Sequence, residues 1–582
     1  MSPTDILVQY DLPAEMRDGT VLRSNVYRPA AGGPFPVLLT RLPYGKDILY
    51  NNVYFDFLRA ARNGYIVVMQ DVRGRYASEG EFTPFVKEYE DGYDTVEWAA
   101  NLPDSNGKVG MFGLSYYGNT QWHAAAGQPP ALASMVPGDT WGNHLNGLQM
   151  RGGARELGLM HYWAEAALAL NTLFRKYPGK PDQLRQELPA VIGSIDTLLA
   201  GGGYDVLPLT ELPDPGDLVP FVRGGFARGV DDDAWEYLSL DGKYDRVQAP
   251  TFHIGGWYDC FLGETLRQYG AMKEESARRE LRAPRLLIGP WTHAMFLSTV
   301  GELDFGIGSA GAFLNYRGDL TDRHLRWFDA TLKDDNTALE NTPPVEVFVM
   351  GENRWRGYDE WPVPGAREEH WYMRAGGGLS RQGPEQSPPD GYDYDPEAAV
   401  PTLGGAVLMP PILGSGPLDQ RPIEQRPDVL TYTSDVLQES YTALGPVHAT
   451  LYAASSAPDT DFVVRLVDVY PDGRAMAVTD GIIRASARES YPAPGVVGPQ
   501  QPSLIEPGEV YGYAVDLWAT GLTFLAGHRI RVEVTSSSFP RWERNLNTGE
   551  NNATSARSRI ANQRIFHDPE RPSRVTLTVV DD

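Results

Sequence analysis

Cysteine is almost missing from this sequence, since Cys260 is the one cysteine among 582 residues. A single cysteine excludes an internal disulfide framework and a metal site built from several thiolates, and its simplest role is that of a small buried apolar residue. Long apolar runs are missing as well, because no stretch approaches the roughly 18 residues that would indicate a membrane-spanning helix. Basic residues are scarce relative to acidic ones, 51 against 76, and the formal charge of -25 would repel nucleic acid and anionic membranes.

A signal peptide is also missing from the pattern, since the N-terminus reads MSPTDILVQYDLPAEMRDG, without a basic start or an apolar core. We therefore expect a soluble, cytoplasmic protein whose partners include neither nucleic acid nor a membrane. With 42% hydrophobic and 22% charged residues, the chain has the composition of a globular protein. Its length favours about two to four domains.

The first third of the chain alternates short apolar runs with segments of helical periodicity. Residues 34–45, 64–74 and 107–115 have the pattern of buried strands bounded by Gly or Pro. Residues 54–63 and 88–102, which lie between them, have apolar residues at helical spacing. Such strand-helix-strand repetition predicts a parallel sheet covered by helices.

The rest of the chain divides into three further segments. Residues 146–246 contain long helix candidates without strands, and we expect a helical insertion there. The strand pattern resumes over residues 247–350, which would complete the α/β domain begun by residues 1–145. Residues 351–582 contain many short strands with turn-rich joints, including a Pro-Asp-Gly turn at 471–473, and this pattern is typical of a sandwich or jelly roll.

The stretch GLSYYG at residues 113–118 follows an apolar run and sets a serine between glycines. The usual nucleophile elbow is Gly-x-Ser-x-Gly, whereas Gly118 comes one residue late. A nucleophilic serine needs a nearby base and an acid that orients the base, and α/β-hydrolases supply them in the chain order Ser, Asp or Glu, His. Ser115, Asp259 and His293 follow this order, each at the carboxyl end of a predicted strand, where open α/β sheets bind their ligands.

Each member of this candidate triad also has a structural interpretation. Ser115 could cap the helix that begins near Tyr117, and Asp259 could cap the helix that follows it. His293 has nine rivals, which fall inside predicted helices or strands, in the β-rich region, or ahead of any acid in the required order: His123, His144, His161, His253, His324, His370, His448, His528 and His567. Order and position together, more than the serine motif itself, favour a catalytic triad.

Acyl transfer also needs hydrogen-bond donors for the developing oxyanion. One expected donor is the backbone N–H of the residue after the nucleophile, Tyr116. A second should come from the loop after an early strand, where TRLPYGK lies. In that loop the glycine could supply a backbone N–H, or Tyr44 a phenol O–H, although tyrosines in such loops often only pack.

These residues together resemble the cocaine esterase family of serine hydrolases, known as CocE/NonD and related to the Xaa-Pro dipeptidyl-peptidases. The family elbow reads Gly-x-Ser-Tyr-x-Gly, which GLSYYG satisfies, and the resemblance runs through the whole chain. Further matching stretches are RDGTVLRSNVYRP, RLPYGK, QDVRGRYASEGEF, GGWYDCF, GPWTH, DQRP, DTDFVVRLVDVYPDGRA and SSSFPRWERNLNTG. The resemblance implies an α/β-hydrolase domain with an inserted helical cap and a C-terminal all-β jelly-roll domain.

The resemblance also implies roles for individual residues. Ser115 matches the nucleophile, His293 the general base and Asp259 the acid that orients it. Tyr44 matches the side-chain donor of the oxyanion hole, beside the N–H of Tyr116.

A substrate pocket is implied in the same way. Trp163, Phe261 and Leu408 match positions of an aromatic acyl pocket, although core packing would explain each of them as well. Where cocaine esterase has further aromatic and amide groups at its ligand, this chain has three aliphatic residues, so its tropane-ester specificity is not carried over: Met409, Leu148 and Val53. The carboxylates that hold a substrate ammonium in the amino-ester hydrolases have no counterpart in DCFLG.

We therefore predict a serine hydrolase that cleaves small-molecule carboxylic esters with apolar or aromatic acyl groups and needs no metal or organic cofactor. The alternative is an Xaa-Pro dipeptidyl-peptidase-like exopeptidase or an amide acylase that uses the same triad. A third hypothesis is a carbohydrate-binding or scaffolding protein with an inactive hydrolase site. Similar esterases include dimers, which leaves a homodimer open.

Overall fold

The computed structural model describes residues 5–47 and 54–581. In the first part of the chain the strands are β1 (Ile6–Glu15), β2 (Val21–Pro29), β3 (Phe35–Leu42), β4 (Ile66–Asp71), β5 (Ser105–Leu114), β6 (Leu132–Gly138), β7 (Met150–Arg151), β8 (Ala154–Arg155), β9 (Phe252–Tyr258), β10 (Arg285–Thr292), β11 (Thr299–Val300), β12 (Leu303–Asp304), β13 (Val345–Val349) and β14 (Arg354–Tyr358). In the last part they are β15 (Arg367–Arg374), β16 (Gly378–Ser380), β17 (Asp390–Tyr394), β18 (Leu430–Thr433), β19 (Tyr441–Ser455), β20 (Asp461–Val469), β21 (Ala475–Arg484), β22 (Tyr511–Phe524), β23 (Arg529–Thr535), β24 (Ala561–Asp568), β25 (Arg571–Pro572) and β26 (Arg574–Val579).

The α-helices concentrate in the first two thirds of the chain. They are α1 (Phe57–Arg62), α2 (Glu88–Ala100), α3 (Tyr116–Ala126), α4 (Leu157–Trp163), α5 (Leu170–Lys176), α6 (Pro181–Leu199), α7 (Phe221–Ala227), α8 (Asp233–Leu238), α9 (Leu262–Arg279), α10 (Leu320–Leu332) and α11 (Arg421–Glu424). Nothing in residues 5–47 or 54–581 forms a helix that is both long enough and apolar enough to cross a bilayer.

The first sheet has the strand order β1-β2-β4-β3-β5-β6-β9-β10-β13-β14 over the described residues. Neighbouring strands from β4 through β13 run parallel, as the sequence predicted, whereas β1, β2 and β14 join the edges antiparallel. Strand β14 pairs with β13 across the predicted boundary between residues 350 and 351. The sheet therefore continues beyond that boundary, to Tyr358.

Both faces of the central strands are buried, which explains their unbroken apolar runs. In β3, Leu38 belongs to the core shared with α1 and α10, whereas Val37 and Leu39 belong to the core shared with α2 and α3. Successive side chains of a strand point to opposite faces, so a strand covered by helices on both sides is apolar at most positions in a row.

The segment between β6 and β9 is largely helical, although it also contains the short antiparallel pair of β7 and β8, which the sequence pattern did not predict. Helices α4 and α5 are joined by a π-helical turn over Ala164–Ala169, and α6, α7 and α8 follow. The apolar core of this insertion includes Leu157, Leu168 and Leu198. It is continuous with side chains that follow strands of the first sheet, among them Tyr116 after β5 and Phe261 after β9, so the insertion covers the carboxyl end of that sheet.

The C-terminal part is a β domain, again as predicted. Its strands form a second sheet in the order β17-β24-β19-β26-β15-β16-β18-β23-β20-β21, with β22 paired to β19. The turn at residues 471–473 joins β20 and β21 as an antiparallel hairpin. This domain packs closely on the first sheet, because a Cβ atom at Gly521 would lie 2.7 Å from Cζ2 of Trp257.

Candidate active site

Three parallel strands bring Ser115, Asp259 and His293 together at one edge of the first sheet. Each residue directly follows its strand, β5, β9 or β10. The Ser115 Oγ lies 3.0 Å from His293 Nε2, and His293 Nδ1 lies 2.7 Å from Asp259 Oδ1. Ser115 and His293 are each 8% exposed and Asp259 is fully buried, so the hydrogen-bonded chain is shielded from bulk water and opens at its serine end.

The turn at Ser115 explains both glycines of GLSYYG. Ser115 has φ 56° and ψ -125° and makes no side-chain capping bond to α3, so the capping interpretation does not hold for its hydroxyl. A Cβ atom at Gly113 would lie 2.3 Å from Cδ2 of Tyr117, and one at Gly118 would lie 2.7 Å from Cβ of Thr140. The late glycine is therefore required where α3 passes the loop after β6, and Tyr117 instead fills the core above Gly113.

Asp259 uses both carboxylate oxygens. Oδ1 accepts the hydrogen bond from His293, and Oδ2 accepts the backbone N–H of Phe261 at 3.1 Å. Phe261 is the N-cap residue of α9 and no side chain of the described residues caps that helix, so the helix-capping interpretation does not hold for Asp259. Cys260 is buried beside it, with Sγ 3.7 Å from Asp259 Oδ1. Burial and the charge of Asp259 raise the pKa of the Cys260 thiol well above its usual value, which keeps the thiol protonated.

The same residues are the one group with metal-ligand potential among the described parts of the chain. Donor atoms of Asp259, Cys260 and His293 lie within 4.8 Å of one another. The short hydrogen bond between Asp259 and His293 occupies one donor atom of each, and zinc would need the Cys260 thiolate rather than the thiol. The donor set is therefore a poor fit to a metal ion.

Tyr44 and Tyr116, the residue after the serine, have their rings in an edge-to-face contact, 6.5 Å between centroids. The Tyr44 oxygen accepts the indole N–H of Trp163 at 2.8 Å. The Tyr116 hydroxyl donates to Glu88 Oε1 at 2.9 Å and accepts the N–H of Phe85 at 3.1 Å. The Tyr116 side chain is thus anchored, while its backbone N–H lies in the first turn of α3, where N–H groups have no acceptor within the helix.

The predicted pocket residues gather around this centre. Phe261 is 5.3 Å from the His293 ring between centroids, and Trp163 is 6.3 Å from the Tyr116 ring. Both belong to one apolar cluster, against which the half-buried Leu408 packs.

Of the aliphatic residues noted in the sequence, Leu148 lies in this cluster and Met409 packs against Gly158 of α4. Val53 lies outside the described residues.

Two aromatic residues at the site escaped the sequence interpretation. Phe85 stacks on Tyr116 at 4.4 Å between ring centroids, and Trp141 contacts Phe261 at 4.7 Å. Trp141 comes shortly after β6, so its position near a strand end was a usable signal. Phe85 precedes α2 in an irregular segment and carried no such signal.

Three of the buried rival histidines have other partners. His123 Nε2 donates to the Leu238 carbonyl and His324 Nδ1 donates to the Leu320 carbonyl, while His253 Nε2 shares a hydrogen bond with the Thr251 hydroxyl. Burial lowers the pKa of His123 and His253 to about 3 and that of His324 to about 4, so these imidazoles are neutral. Within the described residues none of these three is hydrogen-bonded to a serine hydroxyl, whereas His293 is.

The chain matches two family profiles. Residues 18–295 match the X-Pro dipeptidyl-peptidase family S15, and residues 336–576 match the X-Pro dipeptidyl-peptidase C-terminal non-catalytic domain. These matches define the class, a hydrolase of the S15 type in which a catalytic domain precedes a separate non-catalytic β domain.

Individual relatives indicate the family within this class to which the chain belongs. The cocaine esterase of Rhodococcus sp. (strain MB1 Bresler) is 37% identical over 588 residues, which cover 97% of each chain. A solved α-amino acid ester hydrolase superposes with a TM-score of 0.80 at 27% identity. A solved aminopeptidase from the marine sediment archaeon Thaumarchaeota archaeon superposes with 0.79 at 25% identity, and both structures cover 99% of this chain and 97% of their own. The chain belongs to the CocE/NonD family, of which cocaine esterase is a member.

Proposed function

We propose that this protein is a serine hydrolase that cleaves carboxylic esters through an acyl-enzyme. The observation that carries the proposal is the continuous hydrogen-bonded chain from Ser115 through His293 to Asp259, at the converging ends of three parallel strands. The strong similarity to an enzyme named as an esterase supports the same reaction.

In the proposed mechanism, Ser115 Oγ attacks the ester carbonyl while His293 Nε2 takes its proton. Asp259 holds the Nδ1 proton of His293 and stabilises the imidazolium that forms. The imidazolium then gives its proton to the departing alcohol, which leaves the acyl group on Ser115. Water, activated by His293 in turn, releases the acid and restores the free serine.

For the oxyanion we propose two donors, the Tyr44 hydroxyl and the Tyr116 backbone N–H. The Trp163 indole N–H donates to the Tyr44 oxygen and so uses one acceptor position of that oxygen. Toward the oxyanion, Tyr44 would act through its phenol proton. Its place in a largely water-free site would strengthen such a donor. This arrangement gives Trp163 a second role beside lining the pocket.

We propose that the acyl group lies against Trp163, Phe261 and Leu408. Phe261, which belongs to this apolar cluster, contacts the His293 ring. None of the three side chains carries a charge that could pair with a substrate ammonium. An apolar or aromatic acyl group would gain by burial there, whereas a charged one would lose hydration without compensation.

We further propose that the chain has the architecture implied by its family resemblance. In it, residues 1–145 and 247–358 form the α/β-hydrolase domain, 146–246 its helical cap, and the residues from about 360 to 582 a jelly roll. The later boundary follows from β14, which pairs in the first sheet.

The decisive experiment compares wild type with Ser115→Ala on a 4-nitrophenyl ester and with a fluorophosphonate probe. Loss of turnover and of labelling in S115A is expected. Turnover by S115A at the wild-type rate, or labelling of another residue, would refute the proposal.

The S15 profile favours a second candidate, an Xaa-Pro dipeptidyl-peptidase-like exopeptidase or amide acylase with the same triad. Amide cleavage depends on protonation of a poor leaving group by His293. A matched pair of substrates, an Xaa-Pro 4-nitroanilide and a 4-nitrophenyl ester, separates the candidates. We expect the ester to be the faster substrate by kcat/KM.

A further inference from the structure

Asp139 follows β6 directly and contacts the segments that carry all three members of the proposed triad. Its carbonyl accepts the N–H of Ser115 at 3.1 Å, and its own N–H donates to the carbonyl of Ile254 in β9 at 2.9 Å. Its side-chain Oδ2 accepts the N–H of Ala294 at 3.2 Å. One residue therefore links the nucleophile turn, the strand that leads to Asp259 and the loop that begins with His293.

The loop after His293 depends on this side chain. Ala294 has φ 59°, in the left-handed region that residues with a Cβ rarely occupy, and Asp139 itself has φ 40°. A backbone in such a conformation persists where its surroundings hold it in place. The hydrogen bond from Ala294 to Asp139 is a direct means of doing so, one residue away from the imidazole.

The Asp139 carboxyl is also electrostatically unusual. It is 1% exposed, and its Oδ1 is buried without a hydrogen-bond partner among the described residues. Burial, followed by the charge of Asp259, raises the pKa of Asp139 well above its usual value. The Asp139 charge in turn raises the pKa of the Cys260 thiol and of the Tyr54 phenol.

We propose that Asp139 is a positioning residue that holds the His293 loop in register with Ser115 and Asp259. The inference rests on the proposed function, since it concerns the same imidazole. Asp139 acts in its neutral form, with Oδ2 as the acceptor for Ala294, so that no second anion competes with Asp259 for His293. Small displacements of a catalytic group can reduce the rate about a hundredfold, which makes a fixed loop valuable.

The test uses full-length protein and a 4-nitrophenyl ester, with four variants. D139A removes the acceptor, D139N keeps a neutral acceptor and donor, and V136A removes buried volume from the preceding strand without removing a hydrogen bond to the loop. S115A tests the proposed function itself. For each, kcat and KM, the pH dependence of kcat/KM, and the thermal midpoint are measured.

We expect D139A to lower kcat roughly ten- to hundredfold with little change in KM, and D139N to recover most of that loss. The apparent pKa of kcat/KM should be the same in D139N and wild type, because a neutral acid is replaced by a neutral amide. V136A should show a loss of thermal stability without a comparable loss of kcat.

Other outcomes overturn the inference. An ionised Asp139 would stabilise the imidazolium of His293, and its replacement in D139N would then lower the apparent pKa of kcat/KM. Such a decrease would contradict the neutral form of Asp139. This measurement is still possible if D139A does not fold. Equal losses of kcat in V136A and D139A at equal thermal midpoints would reduce Asp139 to a packing residue. If S115A is inactive while D139A resembles wild type, only this inference falls; if S115A is active, the proposed function falls first.

Discussion

Within residues 5–47 and 54–581, two regions contain a hydrogen-bonded serine, histidine and aspartate. One is the site at the edge of the first sheet, formed by Ser115, His293 and Asp259. The other lies in the β domain, where Ser387 Oγ is 2.9 Å from His567 Nδ1 and His567 Nε2 is 2.9 Å from Asp390 Oδ2. By residue type and distance the two sets are alike.

They differ in what surrounds the serine. Ser115 sits in a left-handed turn that opens a helix, next to aromatic side chains and to the first N–H groups of α3. Ser387 lies in an irregular segment before β17, and its hydroxyl also reaches the His567 carbonyl at 3.3 Å. The Asp390 carboxylate is shared, because it accepts a further hydrogen bond from Tyr432 at 2.9 Å. The second set joins strands, whereas the first contains the proposed nucleophile.

This difference shows that three suitable side chains within hydrogen-bond reach do not make a hydrolase site. A nucleophile also needs donors placed for the oxyanion and room for an acyl group. In this chain those features come with the helix N-terminus and the apolar cluster beside Ser115. We therefore assign catalysis to the first set and stability of the β domain to the second.

The largest expected contrast comes from the two acids. Asp259→Asn should lower kcat on the order of 10⁴-fold, because an amide no longer fixes the His293 tautomer or stabilises its protonated form. Asp390→Asn should leave ester turnover within about twofold, since His567 lies outside the proposed site. Steady-state kinetics on a 4-nitrophenyl ester measures both, and similar losses in the two variants would erase the distinction between the sets.

A smaller contrast concerns the oxyanion donor. Tyr44→Phe removes the phenol proton but keeps the ring, and we expect kcat to fall roughly 10²- to 10³-fold. KM should change little, because the donor acts mainly on the transition state. Trp163→Phe, which removes the N–H donated to Tyr44, should have the weaker effect of the two. Wild-type kcat in Y44F would remove Tyr44 from the mechanism.

The glycine that comes late in the motif provides a third contrast, between two helical glycines. Gly118→Ala would place a Cβ atom 2.7 Å from Thr140 Cβ and 2.8 Å from the Gly138 carbonyl, so α3 must shift. A loss of about 1–3 kcal/mol in unfolding free energy is expected, together with reduced turnover. Gly270→Ala in α9 meets nothing within 4 Å and should instead stabilise by up to about 1 kcal/mol. Chemical unfolding and kinetics on both variants test this.

Sequence alone located the first set because parallel strands impose a rule. Their carboxyl ends share one sheet edge, so residues as distant as Ser115 and His293 were expected to meet once each was placed at a strand end. No such rule applies to an antiparallel domain. Ser387 and His567 meet because β17 pairs with β24, a register that periodicity does not predict. The pairing of β14 and the contacts of Asp139 also depend on three-dimensional packing, which no sequence pattern indicated.

The smallest expected effect is a pH dependence of stability in the β domain. Burial opposes protonation of His567, but the hydrogen bond and charge of Asp390 outweigh it, so the pKa of His567 is raised; Asp568 contributes in the same direction. A raised folded-state pKa means that the protonated histidine stabilises the fold. This contribution is complete below the unfolded pKa of about 6.5 and is lost as the pH rises through the folded pKa.

Asp390→Asn tests this contribution directly. Because the Asp390 side chain is about a third exposed, at 35%, solvent screening should limit the effect to roughly 1 kcal/mol or less. Thermal unfolding of the β-domain transition, followed from pH 6 upward, should show wild type losing stability as the pH rises and D390N losing less. Ser387→Ala is the matched control, since it keeps the His567–Asp390 pair and should retain the wild-type slope. If the stability of D390N changes with pH as steeply as that of wild type, the pair of His567 and Asp390 contributes no charge-dependent stability. Its contribution would then be limited to hydrogen bonding between the segments that carry the two residues.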